Sequence, residues 1–347
     1  MLYLLALFAI TWLLFLLTGI VYQRLGLRRD MAQFPPPGRL VNVGVHRLHV
    51  FEMGQGTPPV VLESGISASS VNWRRVQTAI AEFTQVLAYD RPGFGWSDAA
   101  RTVRTANQVV EELHELLQAA NVPRPCILVG HSFGGLAARL YAARYPRDVV
   151  GLVLVDPLRP EEWWPLTPLQ KRMLWGGAFL SRWGALLAHL GVVRFTLTRF
   201  ARGSRLLPRL IGRMASTGAG LSTMERIVGE VRKMPEELWP AIIAHWCDPK
   251  SFSGMSRHLA QLPQSVSCMI DAPPLDIPVT LITAGRNPPF PEDEAGRISS
   301  QAKHVVARES GHWIHLDEPE IVVEAVREMV MQLREASRSP RGTQPPE

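Results

Sequence analysis

Cys126-Ile-Leu-Val-Gly-His-Ser132-Phe-Gly-Gly-Leu-Ala-Ala-Arg-Leu-Tyr-Ala-Ala143 is the stretch on which the reading of the chain turns. Cys126 to Val129 is a short apolar run of the kind that forms a buried parallel strand. Leu136 to Ala143 is rich in Ala and Leu, good helix formers that pack closely on a sheet. Between them, Gly130-His-Ser132-Phe-Gly134 is a G-x-S-x-G turn with Ser132 at its apex. Such a turn holds its middle residue in strained φ/ψ, and a Cβ two residues either side would clash with strand or helix. Ser132 is thereby raised above the sheet edge at a helix N-terminus, where free N–H groups and the dipole favour a developing oxyanion. That context makes Ser132 a candidate nucleophile.

Two further motifs, Asp90-Arg-Pro-Gly-Phe-Gly-Trp-Ser97 and Ser310-Gly-His312, accompany the turn. With them the chain resembles the α/β-hydrolase superfamily over nearly all of residues 40–335. The resemblance implies an α/β fold: a mostly parallel eight-stranded sheet, helices on both faces and a helical lid inserted after strand six. The strand and helix rhythm agrees. Apolar strands are expected at 39–43, 46–53, 59–63, 85–89, 126–129, 149–155, 278–284 and 303–307, and their C-terminal ends are where a parallel sheet carries its ligand site.

Chain order Ser, acid, His suits this fold. His312, in the loop after the last strand, is the expected base, whereas His315 is expected to pack or cap and His131 to point away into its turn. The acid departs from the superfamily's common pattern. Its usual place after the seventh strand reads Arg286-Asn287-Pro288, and Asn cannot carry the charge. Asp156, at the end of the sixth strand, is the preferred alternative, because a strand end holds a carboxylate more firmly than a loop. Glu292, Asp293 and Glu294 remain open as acids folding back from the loop. Asp90 and Arg91 are expected to be structural partners. By resemblance, the backbone N–H groups of Ile66, in the loop Ser64-Gly65-Ile66, and of Phe133 form the oxyanion hole. The superfamily commonly has His-Gly where this chain has Ser64-Gly65.

The N-terminus runs uncharged from Leu2 to Tyr22, enough helix to cross a hydrocarbon core about 30 Å thick. No Lys or Arg precedes the run and no small-residue cleavage site ends it, which argues against a signal peptide. Arg24, Arg28 and Arg29 follow at once, placing the body on the cytoplasmic side by the positive-inside rule. The expected organisation is an anchor at 1–23, a linker at 24–38 stiffened by Pro35-Pro-Pro37, a core at 39–157 and 277–336, a helical lid at 158–276 and a disordered tail at 337–347.

The 347 residues are 46% hydrophobic, ample for a large core. The three cysteines show neither metal-ligand spacing nor a disulfide framework. The net charge of +6 is unaccompanied by any nucleic-acid motif. Part of it has a local origin: Trp163 to Met224 holds no Asp or Glu but nine basic residues, Lys171, Arg172, Arg182, Arg194, Arg199, Arg202, Arg205, Arg209 and Arg213. Interleaved with Leu, Phe and Trp, they resemble basic interfacial helices, or else form a solvated basic face. Six of the ten tryptophans also fall in the lid, some of them expected to line an apolar pocket.

These features lead to a membrane-anchored serine hydrolase acting on small apolar esters, with Ser132, His312 and Asp156 as triad and no metal or organic cofactor. Carbon–carbon bond hydrolases, peptidases and cofactor-free haloperoxidases share such triads. Ser at the elbow argues against the haloalkane dehalogenase and epoxide hydrolase relatives, which use Asp. The competing classes are a lid-bearing binding protein without turnover, with Asn287 as the relic of its acid, and a structural protein of the membrane surface.

Overall fold

The computed structural model describes residues 1–201, 233–291 and 293–338, with side chains throughout except at Phe200 and Ala201. Glu292, Arg202, Arg205, Arg209 and Arg213 lie outside the described residues, as does the tail from 339 on.

Eight strands form one sheet in the order β1-β2-β4-β3-β5-β6-β7-β8. They are β1 Arg39–Val43, β2 His46–Met53, β3 Val60–Glu63, β4 Val86–Tyr89, β5 Cys126–His131, β6 Val149–Val155, β7 Val279–Ala284 and β8 Ala302–Ala307. β1 and β2 form an antiparallel edge; from β4 onward every pairing is parallel. The register aligns Leu62 with Val129 and Val129 with Val153, so the central strands end together at one edge.

Strand side chains alternate between two apolar layers, as the pleat requires. Leu128, Leu152, Leu154 and Leu281 face a layer that includes α3 (Ala106–Ala119) and α4 (Phe133–Arg144). Ile127, Val129, Val153 and Ile282 face the other layer, with α2 (Arg74–Ile80) and the C-terminal helix Pro319–Arg338. Strands covered on both faces need no polar side, which is why they read as unbroken apolar runs in the sequence.

Between β6 and β7 lie α5 (Pro160–Trp163), α6 (Pro168–His189), α7 (Val192–Ala201), α8 (Trp239–Cys247) and α9 (Pro249–Ser267). α6 and α9 pack on each other, and Ser256 Oγ donates to the carbonyl of Ala178 at 2.9 Å. α10 (Glu294–Ile298), α11 (Ile314–Asp317) and α12 (Pro319–Arg338) complete the body.

The N-terminal helix α1 runs from Leu2 to Gln33, well past the expected anchor. Residues 24–33 are therefore helix rather than linker, and only 34–38 connects it to β1. The physical reason is a lateral contact that local sequence cannot reveal. Gln23 is buried: its side-chain amide donates to the carbonyl of Cys247 at 2.8 Å and accepts from Arg194 Nε at 2.9 Å. Arg194 Nη1 also pairs with Asp30 at 2.7 Å. α1 is long and apolar enough to cross a membrane.

Burial holds the imidazoles of His131, His258 and His315 below their ordinary range, His315 down to about 3. Among the described residues neither ring nitrogen of His258 has a hydrogen-bond partner. In the unfolded chain these groups titrate near ~6.5, so below that pH the unfolded state binds more protons. Stability should be level above about pH 6.5 and fall as the pH drops toward 3, each histidine contributing up to about 1.4 kcal/mol per pH unit. Thermal melts of the full chain in detergent micelles at pH 7.5 and 5 should show the loss. His258→Leu should make it shallower by about one proton's share.

Candidate active site

Ser132 stands between β5 and α4 at φ 55°, ψ −120°, a conformation costly for any residue with a Cβ. The surroundings leave it little choice. Its N–H donates to Val155 O at 3.1 Å, and its carbonyl accepts from the N–H groups of Gly135 and Leu158, both at 3.0 Å. A Cβ at Gly130 would lie 2.4 Å from Gly134 O, and one at Gly134 would lie 2.3 Å from Glu63 O. Both glycines are thus set by close backbone approach. Among the described residues Ser132 Oγ makes no hydrogen bond, to His312 or to any other group.

Asp156 follows β6 at the same sheet edge, also at positive φ (40°). Its N–H donates to Ile282 O at 2.7 Å, clamping it to β7. The carboxylate then collects three donors: the Ala284 N–H on Oδ1 at 3.1 Å, and Asn287 Nδ2 (3.0 Å) and His312 Nδ1 (2.7 Å) on Oδ2. The expected acid and base are therefore in contact across the end of the sheet. The two described alternatives, Asp293 and Glu294, are not. Asp293 pairs with Arg297 at 2.7 Å in the open. Glu294 is buried 3.9 Å from Arg159, and burial pushes its carboxyl up.

The His312 loop is fixed from two sides. Asp317 Oδ2 accepts from the Gly311 N–H and from Ser310 Oγ, both at 3.1 Å. His131 Nε2 donates to the His312 carbonyl at 2.8 Å. His131 thus reaches across to the His312 loop instead of pointing away into its turn. Burial, with His315 and His312 adding to it, holds His131 well below the usual histidine range. The rings of His131 and His315 lie 4.4 Å apart, and His315 lies 4.5 Å from Trp73.

The loop after β3 lies against the elbow: a Cβ on Gly65 would be 3.3 Å from Ser132 Cβ. Among the described residues neither the Ile66 nor the Phe133 N–H has a protein acceptor, so both are available to a bound oxygen. Ser64 Oγ accepts from Trp73 Nε1 at 3.1 Å, and Arg91 Nη2 donates to the Gly65 carbonyl. Arg91 pairs with Glu63 at 3.6 Å, whereas Asp90 accepts from His49 at 2.8 Å and from the Ser70 N–H at 2.7 Å. The two neighbours thus serve separate networks and not each other.

Sequence reasoning missed the contributions of His131, Arg91 and Asn287. Each acts through a contact with a residue distant in the chain. The only local signals were His131 inside the elbow motif and a polar residue in the usual acid position. Among the described residues no group of three or more His, Cys, Asp or Glu side chains could hold a metal ion.

The chain is similar to known proteins. The chain is 38% identical over 104 residues to the uncharacterized protein YqjL of Bacillus subtilis (strain 168), a match covering 30% of the chain and 41% of YqjL. Three such curated relatives are covered over only 41–45% of their length. Among solved structures, a putative epoxide hydrolase from Pseudomonas aeruginosa superposes with a TM-score of 0.64 at 19% identity, over 86% of this chain and 97% of that one. A thermophilic esterase from Thermogutta terrifontis superposes with a TM-score of 0.59 at 21% identity, over 85% and 98%. At those identities the likeness is one of fold. The sequence pattern of the alpha/beta hydrolase fold matches residues 58–319, most of the chain, and with the sheet order and the elbow described above the protein is a member of the α/β-hydrolase family.

Proposed function

We propose that the protein is a membrane-anchored serine hydrolase that cleaves carboxylic esters with an apolar acyl or alcohol part. The observation that carries this reading is the 2.7 Å contact between His312 Nδ1 and Asp156 Oδ2 at the same sheet edge as the strained Ser132. Ser132 Oγ attacks the ester carbonyl carbon while His312 Nε2 takes its proton. The resulting oxyanion is held by the Ile66 and Phe133 N–H groups. His312 then returns the proton to the leaving alcohol, and water, activated in turn by His312, releases the acid from Ser132. Asp156 keeps Nδ1 protonated and stabilises the imidazolium. Asn287 fills the place of the usual acid as a donor, and so orients Asp156 instead of replacing it.

Apolar substrates are favoured by the surroundings of Phe133, where Ile66, Leu158, Trp163 and Leu166 gather in one cluster. In this reading the β6–β7 insertion serves as the lid. α1 crosses the membrane, and Arg24, Arg28 and Arg29 place the body on the cytoplasmic side. Epoxide hydrolases of this fold are similar in shape, but Ser at position 132 suits acyl transfer.

A fluorophosphonate probe should label the full chain in detergent, and Ser132→Ala should abolish labelling without altering the melting temperature. A folded wild-type chain that stays unlabelled would falsify the reading. On a short-chain aryl ester, Asp156→Asn should lower kcat by about 1,000- to 10,000-fold. Asp293→Asn should leave it within about twofold, because a surface charge away from the reacting atoms contributes little. Asn287→Ala removes a hydrogen bond from a neutral amide to the charged carboxylate, and a loss of about tenfold or more is expected; no change would separate Asn287 from the acid's orientation.

A further inference from the structure

Helix α6 is apolar on both sides, but with different residues. Its inner side carries Leu174, Ala178, Ser181, Ala185 and Ala188, all buried, and Leu174 shares an apolar cluster with Phe133. Its outer side exposes Trp175, Phe179, Leu180, Trp183, Leu186 and Leu187. Trp175, Phe179 and Trp183 follow one another at helical spacing, with ring centroids 5.4 and 6.2 Å apart. The polar residues exposed among them are Lys171, Arg172, Arg182 and His189, and none is acidic. A helix facing water would carry a polar stripe here.

The position of α6 relative to α1 identifies what covers it. A Cβ on Gly19 would lie 2.3 Å from Leu190 O, and one on Gly191 would lie 2.6 Å from Gly19 O. The α6–α7 corner is therefore in backbone contact with α1, and the buried Gln23, Arg194 and Asp30 group locks the two together. Gly19 lies three residues inside the uncharged run that ends at Tyr22, about 5 Å at 1.5 Å per residue. One turn farther out, the space between α1 and α7 is lined by Arg29, Arg194, Arg199 and Asp30, with Tyr22 and Phe195 among its other residues. Arg194 Nη2, though buried, has no hydrogen-bond partner among the described residues. The C-terminal end of α6 thus lies level with the end of the span, and a lining with three arginines to one aspartate lies just beyond it.

From this geometry we infer that the outer side of α6 and the α6–α7 corner are embedded in one leaflet of an anionic lipid bilayer, beside α1. The inference rests on α1 crossing the membrane. The aromatic and aliphatic side chains sit at the depth of the acyl boundary, and the arginines meet the phosphates. Through Leu174, one helix then touches both lipid and the cluster around Phe133.

The test uses the full chain in vesicles of phosphatidylcholine and phosphatidylglycerol. Cys126 and Cys247 are buried and Cys268 is exposed, so Cys268→Ser gives a background for single nitroxide labels. Labels at Phe8→Cys in α1, Leu180→Cys on α6 and Val103→Cys on the body are compared for collision with oxygen, which concentrates in lipid, and with a nickel chelate, which stays in water. The expected result is oxygen-dominated relaxation at Phe8 and Leu180, with Leu180 about 5–10 Å below the headgroups, and nickel-dominated relaxation at Val103. If Leu180 matches Val103 while Phe8 remains in lipid, the span stands and the inference falls. If Phe8 also reads as water, the span itself is wrong and the inference goes with it. If Leu180 is shielded from both reagents and broadened by a neighbouring spin, a second copy covers the face and the inference is overturned.

Discussion

Asp156 holds together the two halves of the candidate site. Its N–H is given to Ile282 on β7, and its carboxylate takes up Ala284, Asn287 and His312. A buried carboxylate is costly unless its lone pairs are filled, and here the donors come from the adjoining strand, the loop after it and the loop after β8. Asp156 also marks where the insertion leaves the sheet, with the Leu158 N–H returned to the Ser132 carbonyl. Elbow, acid and insertion are thus tied within a few bonds at the C-terminal edge of the sheet, where a parallel arrangement concentrates its binding surface.

A second group of contacts sets the shape of the site without lining it. Arg91, buried with Glu63 and placed over the Phe133 ring at 5.1 Å, holds the Gly65 carbonyl. That bond fixes the peptide leading into Ile66. His131 does the same for the His312 carbonyl. In both cases a buried side chain orients backbone, so the flanking N–H groups and the imidazole are in place before any ligand arrives. Preorganisation of this kind is what makes backbone donors effective in low dielectric.

The strands were legible in the sequence because a strand buried on both faces has no polar alternation to confuse it: β5, β6 and β7 appear as apolar runs of the right length. Ser132 and His312 were legible from local motifs. Asp156 was legible only as the residue at a strand end once Asn287 had closed the usual place. That Asn287 would donate to Asp156 was not, since the contact joins residues 131 apart. The extent of α1 was hidden for the same reason. Polarity rises sharply after Tyr22, which resembles the end of a span followed by a linker, yet Gln23 and Asp30 both have partners more than 160 residues farther along the chain that keep the helix going.

The locked contact between α1 and α7 also bears on how the protein can be handled. Cutting the chain after Gln33 to obtain a soluble body would remove Asp30 and Gln23 together. Arg194 would lose its ion-pair partner among the described residues, and the Cys247 carbonyl would lose its donor. The apolar surface that α1 had covered would also meet water. Helix α1 is therefore a structural part of the insertion it leans on, and a trimmed version would be a different, weaker molecule rather than the same one set free.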